Sequence, residues 1–284
     1  MKAKAGERRP RARAGQGGDR SAGAAREPDG RVRVERDGDV AIWTIDRPGV
    51  RNAFDFATFE ALLAVIDQAG RDRHLRAVVL TGAGATFVSG GDLRELRTAT
   101  TRADAGRIAD QGRRVCDGIA QLRVPVIAAL PGPAVGGGAE LAIACDLRIA
   151  DARARLSFKH ARMAVTTAWG IMPKLVSMIG PGAAARLLLA GHDVGAAEAL
   201  QMGLVEAICE EGASVATALA WAREVARGAP RAIAGLKALL REALDAPPAR
   251  QRARERSLFV AAWTDADHDE AVEAFFESRP PRWR

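Results

Sequence analysis

Pro131-Gly132-Pro133-Ala134-Val135 leads into Gly136-Gly137-Gly138-Ala139-Glu140, and the apolar Leu141-Ala142-Ile143-Ala144-Cys145 follows at once. Prolines and glycines stop one element, and a helix starts on the three glycines. Its first N–H groups have no partner within the helix and carry the positive end of the helix dipole. Glycine has no side chain to shield those amides, so a ligand can approach them closely. Such a start suits a developing oxyanion. Glu140 follows Gly137 by three positions and shares its helix face. One donor site and one potential base therefore point the same way, which suits enolate chemistry.

The pattern around this stretch is α/β. Residues 32–36 and 40–45 read as strands of a hairpin that turns at Asp37-Gly38-Asp39. Phe56, Phe59, Leu62, Leu63 and Ile66 give residues 56–68 a helical period. Residues 77–80 form a short buried-type strand, 82–91 a glycine-rich loop, and Asp92 caps a short helix through Leu96. A helix over 103–122 and a strand over 126–130 precede the glycine helix. This alternation belongs to an α/β core with crossover connections. Beyond about residue 180, helices over 183–190, 195–202, 214–227, 231–244, 249–262 and 266–277 dominate, with a strand near 205–208. The expected division is a disordered Arg-rich tail at 1–31, an α/β core at 32–195 and a helical part at 196–284. That last part packs on the core or on a neighbouring subunit.

Composition narrows the function classes. With 48% hydrophobic residues there is ample material for a core. No stretch approaches the roughly 20 apolar residues of a membrane-spanning helix, so no membrane partner is expected. Cys116, Cys145 and Cys209 are odd in number, widely spaced and set among apolar residues, which fits reduced core cysteines in the cytoplasm and no metal site. The net charge of +7 invites a nucleic-acid reading, but more than half of it lies in residues 1–30, where eight Lys/Arg face four acids. Nucleic acid is therefore not the expected partner. The tail has no apolar h-region of a secretory signal.

A second glycine loop reinforces the first. Thr81-Gly82-Ala83-Gly84 and Phe87-Val88-Ser89-Gly90-Gly91-Asp92-Leu93 also follow a strand, where open α/β sheets place ligands. Neither loop has the Lys-Ser/Thr of a P-loop or the spacing of a dinucleotide fingerprint. Together with Arg47-Pro48, Arg51-Asn52-Ala53-Phe54 and Cys145-Asp146, these motifs resemble the enoyl-CoA hydratase/isomerase (crotonase) superfamily. So do Ala199-Leu200-Gln201-Met202-Gly203-Leu204-Val205 and the C-terminal Glu270-Ala271, Ala274-Phe275 and Arg279-Pro280-Pro281. The resemblance runs over residues 32–281. It implies a ββα spiral core with a helical C-terminal trimerisation part, in a homotrimer or dimer of trimers. It implies a CoA or acyl-carrier thioester as substrate, with coenzyme A arriving as part of it and no permanently bound cofactor. The thioester oxygen would be held by the backbone amides of Gly91 and Gly137, with Glu140 as acid/base and Ser89 against the CoA moiety.

One element of the resemblance is missing. Hydratases of this family resemble one another in a second glutamate shortly after the position of Phe158, where this chain has Arg162, and no carboxylate lies between Asp151 and Asp193. Phe158-Lys159-His160-Ala161-Arg162-Met163, with Trp169-Gly170 further on, looks more like the branch containing ethylmalonyl-CoA decarboxylase. Lys159, His160 or Arg162 would there orient a substrate carboxylate. A malonyl-type acyl-CoA decarboxylase therefore stands beside the hydratase/isomerase reading, with an RNA-binding or inactive family member as the alternative of another class. His160 reads as catalytic or structural, Trp169 as packing or acyl-pocket wall, and Asp92 as an N-cap near the substrate. Arg51 and Arg162 read as substrate contacts or solvated arginines. The chain contains no tyrosine, which excludes a mechanism that needs a phenol.

Overall fold

A computed structural model describes residues 31–244 and 246–283, with the backbone of Ala25–Arg26. Apart from that pair and Arg31, the tail expected at 1–31 lies outside the described residues. Strand β1 (Ala25–Arg26) pairs antiparallel with β2 (Val32–Asp37), and β2 turns at Gly38 into β3 (Val40–Ile45). Strands β4 (Ala77–Gly82), β5 (Val126–Leu130), β7 (Leu147–Asp151) and β10 (Ala207–Cys209) then add in parallel. The sheet order is β1-β2-β3-β4-β5-β7-β10.

Alternation along the buried strands divides the core in two. Ala77 and Val79 of β4, with Ile127, Ala129 and Ile149, face Ala218 and Ala222 of helix α7 (Ser214–Ala226). Val78 and Leu80, with Val126, Ala128 and Leu130, face the opposite side. There they meet α1 (Phe56–Arg71), α3 (Arg102–Gln121) and α4 (Gly137–Ala144). Helix α1 shows the logic: Phe59, Leu62, Val65, Ile66 and Ala69 form its buried stripe, and the Asp55 carboxylate caps it by accepting from Thr58 N at 2.8 Å. Strand β10, beyond residue 195, completes the sheet edge, and α7 packs across β3, β4, β5 and β7.

The carboxyl ends of the central strands feed a second, short layer. Strands β6 (Ala134–Val135), β8 (Arg155–Ser157) and β9 (Asp193–Gly195) make a three-stranded sheet. Parallel bridges Phe54↔Gly91 and Val88↔Ala134 extend it across the glycine loops. Long strand, short strand and helix thus recur along the chain, which is the expected ββα spiral. The short strands β6, β7, β8 and β9 are additions to the sequence reading. Two or three residues are too few to display a strand period in β6, β8 and β9, and Arg148 interrupts β7 with a charge.

The helix expected at 183–190 is the second half of α5 (Met172–Ala190), which Gly180 (φ 76°) and Pro181 break in the middle. Helices α6 (Ala196–Met202), α8 (Pro230–Glu242), α9 (Pro248–Trp263) and α10 (Ala266–Phe276) match expectation. Among the described residues no helix is long and apolar enough to cross a membrane, and no group of three His, Cys, Asp or Glu could hold a metal.

Candidate active site

The glycine helix opens as its sequence requires. Gly136 takes φ 55°, which a glycine adopts without strain. Its N–H donates to Ser157 O at 2.8 Å, while its carbonyl accepts from Ala139 N and Glu140 N at 2.9 and 3.1 Å. A Cβ on Gly138 would sit 2.1 Å from Val88 O, so only glycine lets α4 lie this close to the second loop. The two loops meet: a Cβ on Gly90 would stand 3.0 Å from Val135 O and 3.7 Å from Gly137 N. Phe54 N donates to Gly90 O at 2.8 Å and Asp92 N to Phe54 O at 2.7 Å, which fixes the peptide groups on both sides of Gly91.

Glu140 lies at the centre of this arrangement and is 1% exposed. One carboxylate oxygen lies 2.9 Å from His160 Nε2, and the other accepts from the backbone N–H of Trp169 at 2.9 Å. An ionised carboxylate only accepts, so Nε2 carries the hydrogen of that contact. His160 Nδ1 is buried with no hydrogen-bond partner among the described residues. Burial, and next the negative Glu140, push the Cys116 thiol well above its ordinary range, so this cysteine is not a thiolate nucleophile.

Residues 35–284 match the family model described as Enoyl-CoA hydratase/isomerase. The chain belongs to that family. It is 32% identical over 249 residues to the short-chain-enoyl-CoA hydratase of Clostridium acetobutylicum, covering 87% of this chain and 95% of that protein. Among solved structures, DspI of Pseudomonas aeruginosa superposes with a TM-score of 0.87 at 33% identity, over 92% of this chain and 99% of that one. An enoyl-CoA hydratase from Bacillus anthracis gives 0.85 at 29% identity, over 89% and 98%. This is an acyl-CoA enzyme of the hydratase/isomerase type.

The other residues singled out in the sequence divide into two groups. Trp169, 6% exposed, joins Glu140 and lies against Gly137, where a Cβ would come within 2.4 Å of its ring. Ser89 joins the loop: its N–H donates to Arg51 O at 3.1 Å and its hydroxyl to Val50 O at 3.4 Å. Asp92 caps α2 (Leu93–Leu96) through Arg94 N and pairs with Arg47 at 3.2 Å. Arg51 is exposed on a left-handed backbone (φ 55°).

Arg162 and Lys159 are held elsewhere. Arg162 donates to Ala190 O at the end of α5, with Nη2 at 3.0 Å. Lys159 donates to Gly191 O at 3.0 Å and pairs with Asp193. Hydrogen bonds from Lys159 and then Ser157 keep the Asp193 carboxyl below its ordinary range.

Asn52 has a role that its sequence motif does not reveal. It is fully buried with φ 57°, and its Nδ2 donates to Ala83 O and Thr86 O at 2.9 and 2.7 Å, tying the Arg47–Phe54 segment to the glycine loop. An asparagine beside Arg51 is a recognisable left-handed turn signal, but its partners are remote in sequence.

Proposed function

We propose that this enzyme adds water across the double bond of an enoyl-CoA thioester, with Gly91 and Gly137 N–H holding the thioester oxygen and Glu140 moving the protons. The observation that carries this reading is the buried Glu140 carboxylate, one turn into the helix that opens at Gly137 and 2.9 Å from an imidazole. When water attacks the β-carbon, charge moves onto the thioester oxygen. A fixed amide donor aimed at such an oxygen contributes on the order of 3 kcal/mol to the transition state. Glu140 takes the proton of the attacking water, hydroxide remains on the β-carbon, and the enolate α-carbon takes a proton from the Glu140–His160 pair. The sum is one water added and nothing else consumed.

His160 supplies the second titratable group where the family resemblance implied a glutamate. Coenzyme A arrives with the substrate, so no resident cofactor is required. Ser89 lies against the CoA moiety, Arg51 adjoins it from the neighbouring Arg47–Phe54 segment, and Asp92 positions Gly91 through its hold on Arg47. The exposed aromatics of α9 and α10 fit self-association into a homotrimer or dimer of trimers, in the cytoplasm.

Decarboxylation of a malonyl-type thioester is the second reading. It is favoured by a histidine, not a carboxylate, beside Glu140: an enolate left by departing CO2 needs two amides and one proton donor. Incubation with crotonyl-, 3-enoyl- and ethylmalonyl-CoA, with products weighed by mass spectrometry, separates the reactions. Crotonyl-CoA is expected to gain one water. Loss of CO2 from ethylmalonyl-CoA, with crotonyl-CoA unchanged, replaces the first reading with the second. In Glu140→Gln, turnover is expected to fall by about 10²–10⁴, and full activity there removes Glu140 from the mechanism.

A further inference from the structure

The indole of Trp169 lies in a slot cut for it by two glycines. A Cβ on Gly137 of α4 would come within 2.4 Å of the ring, and one on Gly112 of α3 would come within 2.0 Å of Nε1. Phe54 stacks on the ring with centroids 5.8 Å apart and planes at 13°, and Phe59 meets it edge-on at 5.5 Å. Its own backbone N–H donates to Glu140. One face of this side chain is therefore part of the Glu140–Gly137 site.

Behind it lies a cleft that opens to solvent past Leu236 and Leu240, which are 58% and 74% exposed. Trp169 also lines a cavity of about 620 Å³ that extends between α3, α5 and α8, with Cys116, Ile171, Met178, Ile233 and Leu236 among its apolar walls. Five of its charged lining groups have partners. Arg148 pairs with Glu206, Lys237 with Asp146, and Lys174 donates to Cys145 O. Neither Glu140 nor Gly137 lines this cavity, so Trp169 stands between it and those two residues.

We infer that Trp169 sets the acyl length this enzyme accepts: the indole closes the acyl end of the site against short thioesters, and the cavity behind it is an acyl channel that the ring keeps shut. The inference rests on the assignment of Gly137 and Glu140 to the thioester. The ring stands beside both Glu140 and Gly137, so an acyl chain leaving the thioester past Glu140 would meet it. Opening the partition would let each further methylene enter apolar space, about fourfold in affinity per CH₂, the equivalent of about 0.8 kcal/mol.

The test is a chain-length series read two ways. Affinities of the wild type for saturated acyl-CoAs from butyryl to dodecanoyl are measured by calorimetry, and kcat/KM is measured for the corresponding 2-enoyl-CoAs. Wild-type affinity is expected to stop rising beyond hexanoyl-CoA. Trp169→Ala, which keeps the backbone N–H to Glu140, is expected to continue gaining about fourfold per methylene and to lose activity on crotonyl-CoA. Adding Leu236→Trp to refill the cavity is expected to cancel the long-chain gain.

Continued gain through dodecanoyl-CoA in the wild type overturns the proposal, and so does a folded Trp169→Ala enzyme with unchanged chain-length preference. The wild-type series decides the matter even if Trp169→Ala fails to fold. Failure of the thioester assignment reads differently. In that case the wild type neither binds saturated acyl-CoAs nor turns over any enoyl-CoA of the series.

Discussion

At the scale of single residues, the site depends on contacts that tolerate no added atom. Gly138 packs against the carbonyl of Val88, and backbone cannot swing aside as a side chain can. Gly138→Ala is expected to lower stability by about 1–3 kcal/mol or more, read as a lower denaturant midpoint with an unchanged slope. Gly137→Ala meets a ring, which can move. It is expected to displace Trp169, seen as a shift in tryptophan emission, and to reduce turnover more than stability. Adding Trp169→Leu should restore part of the stability but not the chain-length preference. His160→Gln keeps a hydrogen-bond donor beside Glu140 but cannot carry the second proton. It is expected to lower kcat about a hundredfold, while KM changes little. A purely structural histidine would move KM and stability together.

The sequence showed Glu140 and the two glycine loops because their chemistry is local, a helix start with a carboxylate one turn on. The Glu140–His160 contact spans 20 positions and the Glu140–Trp169 contact 29, and no period or spacing encodes such a meeting. Arg162 illustrates the converse. It lies two residues from His160 in sequence, yet its side chain caps α5.

At the scale of elements, α4 is held at both ends. Glycines and Ser157 O fix its start. At its end Lys174, in the first turn of α5, donates to Ala144 O and Cys145 O at 3.3 and 2.5 Å. Burial, and next the nearby Arg148, bring the Lys174 ammonium down from 10.5 to about 8. Below about pH 8 the folded protein carries this charge at a cost, and above 10.5 neither state is charged. Between those values the unfolded chain binds more protons, so this group makes stability rise with pH.

Wild-type stability minus that of Lys174→Met is therefore expected to climb by about 3 kcal/mol across the window, at about 1.4 kcal/mol per pH unit. Urea unfolding at several pH values measures it. The chain has no tyrosine to titrate in the same range. A flat difference would mean that Lys174 is solvated. The long helices and strands β2 to β5 were legible from periodicity and caps, whereas β7, interrupted by Arg148, was not. The short strands of the second layer were not, because their pairing partners, and not their residues, make them strands.

At the scale of the whole molecule, the C-terminal helices leave a surface that one chain does not cover. Phe259 and Trp263 of α9 are 61% and 59% exposed, and Phe275 and Phe276 of α10 are 78% and 79% exposed. Phe259 with Trp263, and Phe275 with Phe276, each meet ring to ring, and exposed aromatic pairs of this kind fit the self-association proposed above. Light scattering of the wild type is expected to report a trimer or a dimer of trimers, and Phe275→Glu with Phe276→Glu a smaller species. A monomeric wild type would refute self-association through this face.

What the sequence by itself determined is the class of fold, the two glycine loops at strand ends, and a helix that begins on bare amides beside a glutamate. These follow from residues close together in the chain, where backbone freedom and hydrogen-bond need are set locally. Only the tertiary structure decided that His160 and Trp169 share Glu140, that Arg162 does not, and that a cavity lies behind the indole. Those outcomes depend on packing between elements far apart in sequence, where shape and burial choose the partners.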